Sequence, residues 1–178
     1  GEIRCGYYRE IPGMRDYAST YQRLTAFLRR SPNAIFFLQL FNGSITRLMY
    51  LLYPLLLAYI FWFQKERILP YILLPGLAFL VVTLIRKTLN QARPYEAWDI
   101  QPFLKKETLG QSMPSRHVFS ATMISMCFLT YNICLGAVLL ILSAILAVCR
   151  VLGGVHYPKD VLVGMAFGIL AGCLLFLL

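Results

Sequence analysis

The chain has 178 residues, 58% of them apolar and 14% charged, with a formal net charge of +9. So greasy a composition argues against a soluble protein, and the length suggests one domain spanning residues 1–178. The basic excess points to anionic headgroups at a membrane, and no basic stripe with interleaved aromatics is present to argue for nucleic acid.

The chain opens on Gly rather than Met, as expected of a trimmed chain or one carrying a leftover residue. Residues 1–44 form a basic lead-in with six Arg (4, 9, 15, 23, 29 and 30) and no Lys. YASTYQRLTAFLRR places Leu24, Phe27 and Leu28 on one helical face and Arg23, Arg29 and Arg30 near the other, which predicts a helix lying in the interface plane. SPNAIFFLQLF follows, with Ser31 as N-cap and Pro32 at the first helical position. It is too short to span alone, and the sharper alternative is a partly inserted first helix that guides lipid toward a site. Five apolar segments then follow, 45–63, 68–89, 115–132, 134–152 and 159–178, each close to the roughly 20 residues needed to cross a hydrocarbon core. The first begins too far from the amino end for a cleaved signal peptide. Backbone groups in lipid must satisfy one another. The expected fold is therefore all-α: a polytopic membrane bundle of five to six transmembrane helices, the sixth arising if residues 17–42 dip through, with an N-terminal interfacial helix. Five Cys (5, 127, 134, 149 and 173) show no CxxC spacing, so neither a disulfide framework nor a zinc site is expected.

Counting crossings puts three polar clusters on one membrane face. The first is RKTLNQARP, with Arg86 and Arg93 seven apart, about two helical turns, and so on a shared face. Lys87 is one step round the helix and points elsewhere, and Pro94 ends the segment. The second is SMPSRH, where Ser112 or Ser115 caps a helix and Pro114 suits its first turn. That helix start, with Arg116 and His117, is an anion site in waiting. The third is CRVLGGVHYPKD, in which Gly153 and Gly154 permit a sharp turn and Pro158 opens the last helix. Asp160 falls in its first turn, four residues past His156, close enough to accept a hydrogen bond from the imidazole and leave the other ring nitrogen free to attack. The chain has only two His, and both fall on this face beside the Arg residues.

Such parts suit phosphoryl transfer, which asks for charge neutralisation, alignment and a nucleophile. Arg forks bind two phosphate oxygens at once. One His attacks phosphorus while the other protonates the leaving oxygen. No Asp/Glu cluster fit to hold Mg²⁺ is present, so a metal-free and cofactor-free route is expected.

The motif set resembles the type 2 phosphatidic acid phosphatase family, whose patterns are Lys-x6-Arg-Pro, Pro-Ser-Gly-His and Ser-Arg-x5-His-x3-Asp. RKTLNQARP carries Arg86 in place of Lys, PSRH carries Arg116 in place of Gly, and CRVLGGVHYPKD carries Cys149 in place of Ser. The resemblance implies that His156 is the nucleophile, forming a phosphohistidine, that Asp160 orients it, and that His117 is the general acid. It implies that Arg86, Arg93 and Arg150 hold the phosphate oxygens, helped by Ser115 and the backbone N–H of Arg116. Of the substitutions, Arg116 either points away or adds a contact to a diphosphate.

The implied enzyme is a lipid phosphatase in a cell membrane, acting on a lipid phosphate or diphosphate within the bilayer. Undecaprenyl diphosphate leads, then phosphatidylglycerol phosphate and phosphatidic acid. The alternatives are a lipid phosphotransferase and a non-enzymatic anionic-lipid binding or transport protein. The resemblance places the site on the extracytoplasmic face, although a plain count of Lys and Arg by side points the other way. The sequence sets no oligomeric state.

Overall fold

The computed structural model describes residues 17–105 and 108–177. Residues 1–16, with Cys5, Arg4, Arg9 and Arg15 of the expected lead-in, lie outside the described residues, as do 106, 107 and 178. Among the described residues eight α-helices run in the order α1 (Tyr17–Leu24), α2 (Ala26–Arg29), α3 (Pro32–Phe63), α4 (Ile68–Leu89), α5 (Pro94–Ala97), α6 (Arg116–Leu129), α7 (Ile133–Leu152) and α8 (Pro158–Cys173). Four stretches are long and apolar enough to cross a membrane: Pro32–Phe63, Lys65–Ala97, Ile133–Leu152 and Pro158–Phe176.

α6 is the hub. Nine of its 14 residues are buried, so it is wrapped by α3, α4, α7 and α8 rather than by lipid. Its buried Ser125 is satisfied inside: Ser125 Oγ donates to the Ala121 carbonyl at 2.8 Å and meets Ser143 Oγ of α7 at 3.0 Å. On α8, Gly164, Gly168 and Gly172 form a small-residue stripe along α6. A Cβ at Gly164 would stand 2.7 Å from the Ser115 carbonyl, and one at Gly168 2.8 Å from Thr122 Cβ. Without a hydrophobic drive between helices in lipid, such backbone proximity is what makes packing favourable. The outer faces carry exposed Leu51, Leu55, Leu77, Leu84, Ile141 and Leu170, the pattern of a bundle solvated by acyl chains.

The end opposite the polar clusters is closed by tyrosines. Tyr71 Oη meets Thr130 Oγ1 at 2.6 Å, and Tyr131 packs against Tyr71 and Tyr59. Asn132 caps α7, accepting from the Leu135 N–H at 2.9 Å.

The structure corrects several expectations. The first span is not 45–63: α3 runs unbroken from Pro32, capped by Ser31, so SPNAIFFLQLF belongs to it. Residues 17–42 make no sixth span. α1 and α2 fold back over the end that carries the polar clusters, where Tyr21 Oη donates to the Leu152 carbonyl at 2.8 Å and Leu28 packs with Cys149. The face these short helices bury is Tyr21, Thr25 and Leu28, while Leu24 and Phe27 are exposed. The reason is that apolar side chains lose nothing by facing lipid, whereas Tyr21 and Thr25 need protein acceptors. Finally, Arg86 and Arg93 do not share a helix. Asn90 takes a left-handed conformation (φ 36°) and its N–H closes onto the Arg86 carbonyl, ending α4 at Leu89. Arg93 is extended, at the N-cap of α5.

Candidate active site

Each cluster is placed by its backbone. After α7, Gly154 turns the chain at φ 75°, so that His156 faces back into the bundle before Pro158 starts α8. Asp160 sits in the first turn of α8, where its Oδ2 accepts from the Tyr157 N–H at 3.0 Å, and the helix N-terminus favours its charge. The two helix starts are tied together, since the Ser115 N–H donates to the Asp160 carbonyl at 2.9 Å. His117, in the first turn of α6, therefore belongs to the same end of the bundle as His156.

His156 is 1% and Asp160 0% exposed. The expected direct bond is long, with His156 Nδ1 at 3.5 Å from Asp160 Oδ2. Ser112 completes a triangle with them, its Oγ donating to Asp160 Oδ2 at 2.5 Å and lying 3.5 Å from His156 Nδ1. Sequence reasoning took Ser112 for a possible helix cap, but the N-cap of α6 is Ser115 and Pro114 precedes it. Burial holds the His156 imidazole below its ordinary pKa, and the Arg150 and Arg93 guanidiniums add to this against the bond to Asp160. The ring is thus neutral and nucleophilic at neutral pH.

Three guanidiniums are buried here: Arg86, Arg93 and Arg150. Arg93 Nε donates to the Gly110 carbonyl at 3.0 Å and its Nη1 to the Val155 carbonyl at 3.1 Å. Arg86 Nη1 binds the carbonyls of Pro114 and Ser112. Arg150 Nη1 reaches Asn42 Oδ1 at 3.4 Å. The remaining donors are the telling ones: Arg86 Nε, Arg150 Nε, Arg150 Nη2 and Ser115 Oγ are buried without a hydrogen-bond partner. Leaving buried donors unpaired is costly, and an anion with several oxygens would satisfy them together.

Arg116 behaves differently. It is exposed, its guanidinium over the Phe79 ring of α4 at 5.9 Å from the centroid, and so stands beside the buried set rather than in it. Lys87 is exposed, as expected. His117 is half-buried and lines a small, open cleft with Thr46, Met49 and Tyr50 of α3 and Ser120, Ile124 and Leu146. Asn42, Thr46 and Tyr50 recur every fourth residue and present one face of α3. The sequence signal was the polar run FNGSIT, visible as a helical stripe only once the helix is extended upstream.

The loop 90–112 is braced rather than loose. Glu96 accepts from the N–H groups of Arg93 at 2.6 Å and Gly110 at 2.8 Å. Trp98 Nε1 donates to Tyr157 Oη at 3.2 Å, and Tyr17 of α1 packs edge-on against Tyr157 at 4.9 Å. Phe103 lies under Arg29 at 5.4 Å. Among the described residues there is no group of three His, Cys, Asp or Glu positioned for a metal ion.

Comparison with known proteins agrees with this geometry. The PAP2 superfamily matches residues 67–178, more than half of the chain and all three polar clusters. Aquifex aeolicus LpxE superposes with a TM-score of 0.71 at 26% identity, covering 93% of this chain and 99% of that one. The first transmembrane PAP2 type phosphatidylglycerolphosphate phosphatase from Bacillus subtilis superposes with a TM-score of 0.68 at 22% identity, covering 89% and 83%. Comparison with curated proteins gives no match. The chain belongs to the PAP2 superfamily, the type 2 phosphatidic acid phosphatases, and is a multi-pass membrane lipid phosphatase.

Proposed function

We propose that the enzyme removes the terminal phosphate of a lipid phosphate or diphosphate through a phosphohistidine on His156. Undecaprenyl diphosphate is the leading substrate, followed by phosphatidylglycerol phosphate and phosphatidic acid. The observation that carries this reading is the set of unpaired buried donors, on Arg86, Arg150 and Ser115, gathered around a neutral, buried His156. Arg86, Arg93, Arg150, Ser115 and the N-terminus of α6 hold the phosphate oxygens. His156 Nε2 attacks phosphorus, and the bond to the lipid oxygen breaks. His117 gives that oxygen a proton and then takes one from the water that attacks the phosphohistidine. Inorganic phosphate leaves, together with a lipid alcohol when the substrate is a monophosphate or a lipid monophosphate when it is a diphosphate. Arg116, at the surface over Phe79, is placed to meet the outer part of a headgroup.

The test is a panel of the three lipids assayed for released phosphate, with His156→Ala alongside. Normal turnover by His156→Ala, or release from none of the three, overturns the reading. The site is further proposed to face away from the cytoplasm of the cell membrane. Exposed Cys134 lies at the opposite end of the bundle, so an impermeant thiol reagent on intact cells should leave it unlabelled.

A further inference from the structure

Ser112 has every polar group engaged, and each bond leads to a different part of the site. Its N–H donates to the Gln91 carbonyl at 2.8 Å. Its carbonyl accepts from Arg86 Nη1 at 3.4 Å. Its hydroxyl donates to Asp160 Oδ2 at 2.5 Å and lies 3.5 Å from His156 Nδ1. Both residues it joins are buried, and Ser112 itself is 0% exposed. A hydroxyl has one proton to give and two lone pairs. With the proton committed to the carboxylate, which is its nearer partner, the oxygen offers His156 an acceptor only. The imidazole must then carry its proton on Nδ1 and keep the Nε2 lone pair for attack.

We infer that Ser112 is a positioning residue for the nucleophile: the serine hydroxyl, at the same 3.5 Å from His156 Nδ1 as Asp160 Oδ2, acts with Asp160 to fix the tautomer and tilt of His156. The bonds of its own backbone to the Arg86 and Gln91 segment set the hydroxyl in place. The position of the nucleophile is thereby tied to that of a phosphate-binding arginine. This inference rests on the phosphohistidine reading of His156.

The experiment compares wild type with Ser112→Ala, Ser112→Cys, Ser112→Thr and His156→Ala, measuring kcat, KM and the pH profile on one lipid phosphate, with Tm as the fold control. Ser112→Ala is expected to lower kcat by about 10- to 100-fold, the range for loss of an outer partner that orients a reactive imidazole, with KM within about twofold. The acid limb of its kcat/KM profile moves to lower pH, because the imidazolium loses one of its two acceptors and keeps only Asp160. Ser112→Thr, which keeps the hydroxyl, recovers activity to within about threefold, and Ser112→Cys, a weak donor of similar shape, falls between Thr and Ala. Should Ser112→Ala fail to fold, the ratio of Thr to Cys decides. Wild-type kcat and pH profile in Ser112→Ala or Ser112→Cys overturn the role of Ser112 while leaving the function intact, provided His156→Ala is inactive. An active His156→Ala overturns the function reading itself.

Discussion

The Ser115 N–H donates to the carbonyl of Asp160 at 2.9 Å, joining the first residues of α6 and α8, which lie 45 positions apart in the chain. This bond registers the helix that carries His117 against the helix that carries Asp160. The close approach it needs is made by Gly164, whose absent Cβ would stand 2.7 Å from the Ser115 carbonyl. Gly164→Ala is therefore expected to cost about 1–3 kcal/mol through overpacking and to lower kcat at least tenfold. Gly76, with nothing within 4 Å of an added Cβ, should accept Ala without loss of activity. Thermal unfolding in detergent and phosphate release measure both.

Arg150 and Arg116 make a contrasting pair. Arg150 is buried with two unpaired donors and Arg116 is exposed over an aromatic ring. Arg150→Ala should lower kcat/KM by about 100-fold or more, the scale of losing one preorganised charge donor. Arg116→Ala should change hydrolysis of a lipid monophosphate by less than about threefold. Equal losses at the two positions would put Arg116 inside the pocket.

The depressed basicity of His156 has a sign that can be checked. Its folded pKa lies below 6.5, through burial first and then Arg150 and Arg93. Between those two values the unfolded chain binds a proton that the native protein does not, so stability falls as pH drops through 6.5 and below. The Tm should be level above that pH and decline beneath it, and the decline should be shallower in His156→Gln. The acid limb of wild-type kcat/KM should likewise lie below 6.5.

The cationic work at the site is assigned to arginines, and Asp160 Oδ2 is already occupied by Ser112 and the Tyr157 N–H. Activity is expected to persist in excess chelator. A loss that only added Mg²⁺ restores would contradict this.

Much of the site was legible in the sequence because its spacings are local. Asp160 follows His156 by four positions, Pro158 lies between them, and Gly154 turns the chain two positions before His156. The span 68–89 matches α4 because Asn90 stops it abruptly. What could not be read depends on contacts across the bundle. Ser112 resembles a cap until α8 is placed against it. Arg93 looks like a second turn of α4 until Asn90 is seen to reverse the chain. The stripe Asn42, Thr46 and Tyr50 breaks the apolar run that marks a span, which hid the first half of α3. That α1 and α2 bury Tyr21, Thr25 and Leu28 could not be read either, because it depends on partners such as Leu152 and Cys149 across the bundle.

The shortness of α6 carries a consequence for the membrane itself. Fourteen residues rise about 21 Å, against a hydrocarbon core of about 30 Å, and the far end of the helix is pinned at the tyrosine belt. With the tyrosine end at one edge of that core, the phosphate pocket at the start of α6 would lie below the plane of the headgroups on the other side. A substrate must sink, or the leaflet must dimple, before chemistry begins. Bilayer thickness then becomes a determinant of turnover, with thinner lipids bringing the reacting phosphorus nearer to His156.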